Sequence, residues 1–246
     1  MGFWKALFGG PEKEPGEVKD DDAERKFDLY KYDGIKALQM RQTEYAVKCF
    51  GEALKIRPDV ETLDYMSQAL VRMGRFEEAL ASLEVVRKLL PRSEQVLRRM
   101  GHIAYMAEDY DRLALLASQA VELNEQDGYA CLMAAQAAQG QGRPEEAAGW
   151  LDRALALDDS LRDARLLRAR LLTAQGDLRA AEADVQQLLD AQGDDEDALL
   201  LRARLCARQG RVEEARAAYV ALTEANPFCE EAIQELERLN LLNIEH

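Results

Sequence analysis

A seven-residue phrase recurs along this chain at a fixed step: GRFEEAL from Gly74, GRPEEAA from Gly142, GDLRAAE from Gly176 and GRVEEAR from Gly210. The last three begin 34 residues apart, and two such steps separate the first two. That period is the signature of helical hairpins stacked into an array, in which each hairpin is completed by its neighbours. The repeat therefore overrides the one or two ordinary domains that 246 residues would otherwise suggest.

With the alanine of EEA placed at repeat position 20, other landmarks fall into register. The first repeat supplies Gly34 at position 8, Ala46 at 20, Phe50 at 24, Ala53 at 27 and Pro58 at 32. The second supplies Gly74, Phe76, Ala79, Leu83 and Pro91, and the sixth Ala203, Gly210, Val212, Ala215, Tyr219 and Pro227. Two antiparallel helices approach closely only where one carries Ala or Gly, as Gly34, Gly101, Ala135, Ala169 and Ala203 do on the first helix. Ala46, Ala79, Ala147, Ala181 and Ala215 answer them on the second. Glycine at position 15 suits a left-handed helix end, and the acidic pair after it favours the start of the next helix. The third repeat departs from this pattern. Glu108 replaces the turn glycine, while Leu113 and Ala117 exchange large and small, so total volume is roughly kept.

The pattern resembles the tetratricopeptide repeat family over about Phe27 to Pro227. The resemblance implies an all-α, right-handed superhelical solenoid of six helix pairs starting near Phe27, Val60, Glu94, Gly128, Arg162 and Glu196. Residues 228–246 read as a solvating C-terminal cap, because Glu237 fills the small position on which a second helix would pack. Leu239, Leu241, Leu242 and Ile244 read as a tail that folds back on the last hairpin or stays available, with folding back favoured.

Composition bounds the chemistry. A formal charge of -14 argues against nucleic acid as a partner, since binding it needs a basic face. Cys49, Cys131, Cys206 and Cys229 are widely spaced, with no CxxC pair and no nearby histidine, and read as small apolar fillers in a reducing compartment. No metal site and no cofactor is expected. The chain shows no GxSxG, HExxH or glycine-rich phosphate loop, so it reads as non-catalytic. The paired Glu77 and Glu78, like Glu213 and Glu214, recur at one repeat position and are helix-start charges. With no signal-peptide core and no apolar run of membrane-spanning length, the expected location is cytoplasmic, and a monomer is the expected state.

The family resemblance implies that positions 2, 5, 9, 12 and 13 of the first helices line a concave groove. Reading them along the chain brings out Leu132, Leu166 and Leu200 at position 5 as an apolar strip. Arg170, Arg204 and Arg208 form a row beside it. These suit an extended or helical peptide carrying carboxylates next to apolar anchors. The alternative is that the arginines are paired by Asp163, Asp197 and neighbouring glutamates, as on any charged helix face. His102, Tyr105 and Tyr129 form a second candidate cluster, as contacts or as packing residues. Positions 5, 9, 12 and 13 also place Lys31, Asp64, Arg98, Ile35, Gln68, Gln136, Leu38, Val71, Arg72 and Met106 on the groove. One subset of the family clamps the C-terminal carboxylate of chaperones; Lys31 and Arg99 match its pattern, but Ile35, Tyr65 and Gln95 do not, and that activity is not expected.

Ahead of the repeats, residues 11–26 are proline-rich and charged and read as a flexible linker. Before it, Phe3, Trp4, Leu7 and Phe8 fall on one helical face, with Lys5 beside them. A segment of residues 1–10 makes a marginal helix alone. It reads as a membrane-surface foot, a docking motif for another protein, a peptide for the chain's own groove, or a frayed end. The expected function is a scaffold or adaptor that holds an unidentified protein or peptide in the groove. The alternative is a membrane-associated assembly factor localised by its first residues.

Overall fold

The computed structural model describes residues 15–242, with side chains from 21 to 239. The described residues form thirteen α-helices and no strand: α1 (Pro15–Gln39), α2 (Thr43–Ile56), α3 (Val60–Arg72), α4 (Phe76–Leu89), α5 (Glu94–Met106), α6 (Tyr110–Leu123), α7 (Gly128–Gly140), α8 (Pro144–Leu157), α9 (Arg162–Gln175), α10 (Leu178–Ala191), α11 (Glu196–Arg208), α12 (Val212–Ala225) and α13 (Glu230–Leu242). From α3 onward, each first helix begins 34 residues after the last, at Val60, Glu94, Gly128, Arg162, Glu196 and Glu230. The chain divides after Leu116, within α6, into two compact units. In the first, α1 packs on α2, α2 on α3, α3 on α4 and α4 on α5. In the second, the same neighbour-to-neighbour packing runs from α7 to α13. This is an all-α helical solenoid.

The small positions do what the spacing predicts. Ala46, Ala79, Ala147, Ala181 and Ala215 are all fully buried. At Gly34 the space is already filled, since a Cβ there would stand 2.5 Å from Cε1 of Phe50. The exchanged pair of the third repeat is also core, with Leu113 and Ala117 both buried.

The turn between paired helices is left-handed in all six repeats. Gly74, Gly142, Gly176 and Gly210 have φ of 69°, 71°, 88° and 74°, and Arg41 and Glu108 adopt 59° and 55° at the equivalent place. The loss of glycine at 108 therefore changes no backbone geometry, and Asp109 N–H still donates to the Ala104 carbonyl at 2.9 Å. A side chain in that region costs roughly 1 kcal/mol. Glu108→Gly is expected to raise stability by about that amount, read as a higher urea midpoint. A lower midpoint contradicts the equivalence of the turns.

Helix starts follow a second 34-residue rhythm. Asp59, Ser93, Asp127 and Asp195 each precede a first helix and accept a hydrogen bond from a backbone N–H in its first turn, at Thr62, Val96, Tyr129 and Ala198. Such caps are worth about 1 kcal/mol each. Leu161, at the matching place before α9, makes no such bond. It packs instead, its Cδ1 standing 3.0 Å from where a Cβ on Gly128 would be.

One expectation needs correction. The stretch expected to be a flexible linker is helical from Pro15 and continuous with α1. Its charges are used locally: Lys26 pairs with Asp22 at 2.9 Å one turn away, and Glu24 accepts from Arg57 Nε at 3.2 Å and Nη2 at 2.9 Å. That guanidinium also lies over the Phe27 ring, 3.7 Å from its centroid. At the other end α13 runs to Leu242, and Leu239 is buried with its carbonyl accepting from Arg216. Ile244 and the residues 1–10, with Phe3, Trp4, Leu7 and Phe8, lie outside the described residues.

Candidate protein-binding faces

Two open clefts lie against the first helices, one in each unit. In the first unit, a cleft of about 720 Å³ is lined by Ile35, Leu38 and Gln39 of α1, Arg41 and Thr43 of the turn and the start of α2, and Tyr65, Gln68 and Arg72 of α3. Its floor is Leu38, which is buried, with Ile35 and Tyr65 half-buried above it. Tyr65 is held by stacking on Phe50, with ring centroids 6.0 Å apart and planes inclined by 12°. Arg72 reaches across to donate to the Leu38 carbonyl at 3.3 Å. The lining contains two guanidinium groups and no carboxylate. A basic cleft on a chain of formal charge -14 is a local exception to the overall field.

The second unit offers the opposite chemistry. A cleft of about 410 Å³ between the ends of α10 and α12 and the start of α11 is lined by Arg162, Asp194, Asp195, Glu196, Asp197, Leu200 and Cys229 among others. Arg162 is already engaged, donating to Asp195 at 2.6 and 2.8 Å and to Asp197 at 2.9 Å. Asp195 is buried, which pushes its carboxyl up, but the bonds from Arg162 and from the Ala198 N–H outweigh this and hold it below the usual range.

The sequence-expected groove residues sort differently from their spacing. Leu132 and Leu166 are buried, so they are not surface anchors; only Leu200, half-buried, touches a cleft. The reason is reach. Leu132 packs in one cluster with Ala164 and Leu167 of α9, and Leu166 in another with Leu199 and Leu201 of α11. Each is covered by the next first helix. Lys31, at the same repeat position, spans the same gap by charge, donating to Asp59, which caps α3, at 3.0 Å and to Glu61 of α3 at 2.6 Å.

The arginines behave alike. Arg170 donates to Asp197 at 2.6 Å, Arg204 to Glu231 at 2.7 Å, and Arg208 to the Thr173 carbonyl at 2.6 Å. All three remain exposed, but each has a partner in an adjoining repeat. Of the acids expected as alternative partners, Asp197 pairs with Arg170 and Glu231 with Arg204, whereas Asp163 pairs with Arg162 and Arg208 bonds a carbonyl. His102 and Tyr105 are exposed on α5, in the first unit; Tyr129 is half-buried on α7, in the second.

Burial pushes Asp59 up, but bonds from the Thr62 hydroxyl, Lys31 and the Thr62 N–H bring its carboxyl down to about 2. Burial raises the Cys131 and Cys206 thiols, as befits packing groups. Among the described residues no helix is long and apolar enough to cross a membrane. Sequence reasoning found four of the cleft residues from repeat position alone, Ile35, Leu38, Gln68 and Arg72. It noted Tyr65 only as a departure from the chaperone clamp and missed Gln39, Arg41 in the turn and Thr43 at the start of α2.

The tetratricopeptide repeat profile matches residues 132–178 and 166–228. No curated protein sequence matches the chain. Among solved structures, pilF of Pseudomonas aeruginosa is similar at 19% identity, covering 88% of this chain and 99% of that one with a TM-score of 0.65. A tetratricopeptide repeat protein from Parabacteroides merdae gives 18%, 87% and 84% coverage and 0.67. YrrB, described as a tetratricopeptide repeat protein with an unusual peptide-binding site, gives 18%, 76% and 97% coverage and 0.54. These likenesses carry the fold.

Proposed function

We infer that this chain, a tetratricopeptide repeat protein, is a non-catalytic scaffold that holds a segment of another protein on the first-helix face of its first unit. The observation that carries this reading is the 720 Å³ cleft, which joins an apolar floor at Ile35, Leu38 and Tyr65 to the guanidinium groups of Arg41 and Arg72. Ligand sites combine a mostly apolar lining with a few fixed polar groups in this way. Guanidinium beside apolar surface selects a segment bearing a carboxylate next to a large apolar side chain, since a planar fork grips carboxylate in two bonds. Gln68, exposed at the edge, adds an amide that can bond an extended backbone. The peptide-binding site of YrrB, on a similar fold, supports the reading by analogy.

Selection of a random-sequence peptide library on the purified chain is expected to enrich segments with acidic and apolar residues together. Arg72→Glu is expected to weaken the selected peptides by about tenfold or more, as measured by calorimetry. The paired reversal of Arg170 and Arg204 to Glu should change affinity little, because neither lines the cleft. Binding that survives Arg72→Glu and Ile35→Asp places the site elsewhere.

A further inference from the structure

The turn between α12 and α13 carries the most exposed large apolar side chain among the described residues. Phe228 is 87% exposed, whereas the other exposed large apolar groups lie between 40% and 67%. Its place, two residues before a first helix, is held elsewhere by Pro58, Arg92, Gln126, Ser160 and Asp194, so the repeat itself calls for no phenyl ring there. The ring is held out on a fixed turn. Asn226 Oδ1 accepts from the Phe228 N–H at 3.0 Å, the Asn226 carbonyl accepts from the Cys229 N–H at 3.1 Å, and the Asn226 side-chain amide donates to Glu196 at 2.7 Å. Glu224 and Glu230 flank it in the sequence, both exposed and neither engaging a cation among the described residues. The turn thus sets a large apolar side chain beside carboxylates, which is the chemistry that the first-unit cleft selects. Charge is divided between the units in the same sense. Residues 1–116 hold 19 Lys and Arg against 21 Asp and Glu, while residues 117–246 hold 13 against 25. Contact between two second units sets like charge against like, whereas a first unit meets a second with a nearly balanced surface and a basic cleft.

We propose that the first-unit cleft of one copy receives the Phe228 turn of a second copy of this chain. The proposal rests on the reading of that cleft as a peptide site and names its occupant. The ring enters over the apolar floor at Ile35 and Leu38 and meets the Tyr65 ring. Arg41 and Arg72 then serve the ring face and the carboxylates of Glu224 and Glu230. Both have donors to give: Arg41 is exposed, and Arg72 commits one nitrogen to the Leu38 carbonyl. Because Asn226 already fixes the turn, little ordering is left to offset on binding. The two surfaces differ, so the contact is heterologous, and each copy keeps a cleft or a turn for the next. The monomer expected from the sequence is then the dilute state. One turn in one cleft covers a small area, so association is expected to be weak and to weaken further with salt.

Sedimentation equilibrium of the full chain over roughly 1–300 µM is expected to show a weight-average mass that rises with concentration. Phe228→Ser and Arg72→Glu should each weaken association by about tenfold or more, with far-ultraviolet dichroism unchanged because both side chains are exposed. An equimolar mixture of the two variants should form a one-to-one complex, since Phe228→Ser keeps the cleft and Arg72→Glu keeps the turn. A parent that stays monomeric throughout overturns the proposal. So does association that survives either substitution, or a mixture of the variants that stays monomeric. A library-selected peptide separates this failure from failure of the cleft reading. If the peptide binds through Arg72 to a chain that remains monomeric, the cleft stands and the second copy falls. If its binding survives Arg72→Glu and Ile35→Asp, both fall. In the expected case the peptide competes for the cleft and returns the parent to monomers.

Discussion

Replacing Arg168 with alanine is expected to destabilise the protein by about 3–5 kcal/mol. Asp184 of α10 is only 3% exposed, and the Arg168 guanidinium of α9 grips it in two bonds of 2.8 and 2.7 Å while a third reaches Asp152 of α8 at 2.9 Å. The bonds to Asp184 lift the guanidinium's proton affinity above its ordinary value. Without Arg168 the carboxylate stays buried with Arg165 at 3.6 Å as its nearest cation, too long for a hydrogen bond. The cost comes from leaving that buried charge without its hydrogen-bonded partner and with only the longer ion pair to Arg165, so the pair itself need not be worth as much. Arg168→Met combined with Asp184→Leu should therefore lose much less than Arg168→Ala alone, measured by urea unfolding. Equal losses would show that the pair contributes net stability beyond compensating its own burial.

The second large effect lies in the first repeat. Phe50→Ala is expected to cost about 3–5 kcal/mol, because the ring is fully buried, fills the space left by Gly34 and stacks on Tyr65. The same change should abolish peptide binding, since Tyr65 forms one wall of the cleft and loses its support. Gly34→Ala attacks the contact from the other side and is expected to destabilise by about 1–3 kcal/mol through overpacking. Thermal melts of the two variants decide between them: a smaller loss for Phe50→Ala than for Gly34→Ala would mean that the ring's burial contributes little.

Much of this architecture was legible because a stacked array writes its contacts into a fixed period. Gly34, Ala46 and Phe50 fix their hairpin by size alone, and the helix starts at Val60, Glu94, Gly128, Arg162 and Glu196 fall where the repeat frame puts them. The caps at Asp59, Ser93, Asp127 and Asp195 carry an equally regular signal that attention to proline and glycine passed over. The Arg168–Asp184 grip has no such signal. It joins residues 16 apart across a turn, and several arginines on α9 are equally placed by sequence. The groove was misread at Leu132 and Leu166 because a position that faces a neighbour looks, in one repeat, the same as a position that faces solvent. Lys31 bridging to Asp59 and Glu61 shows what that position does here, which is to join successive first helices. The charged run after Pro15 was read as a linker because composition cannot register that Arg57, some thirty residues on, supplies Glu24 with its partner.

The central claim is that the first-unit cleft receives a segment carrying carboxylate and apolar groups. Amide chemical-shift mapping of the isotope-labelled chain, titrated with a library-selected peptide, tests it most directly. The largest shifts are expected at Ile35, Gln39, Arg41, Tyr65, Gln68 and Arg72, saturating together. Shifts centred on Arg170, Arg204 and Arg208, or on the second helices, would contradict it.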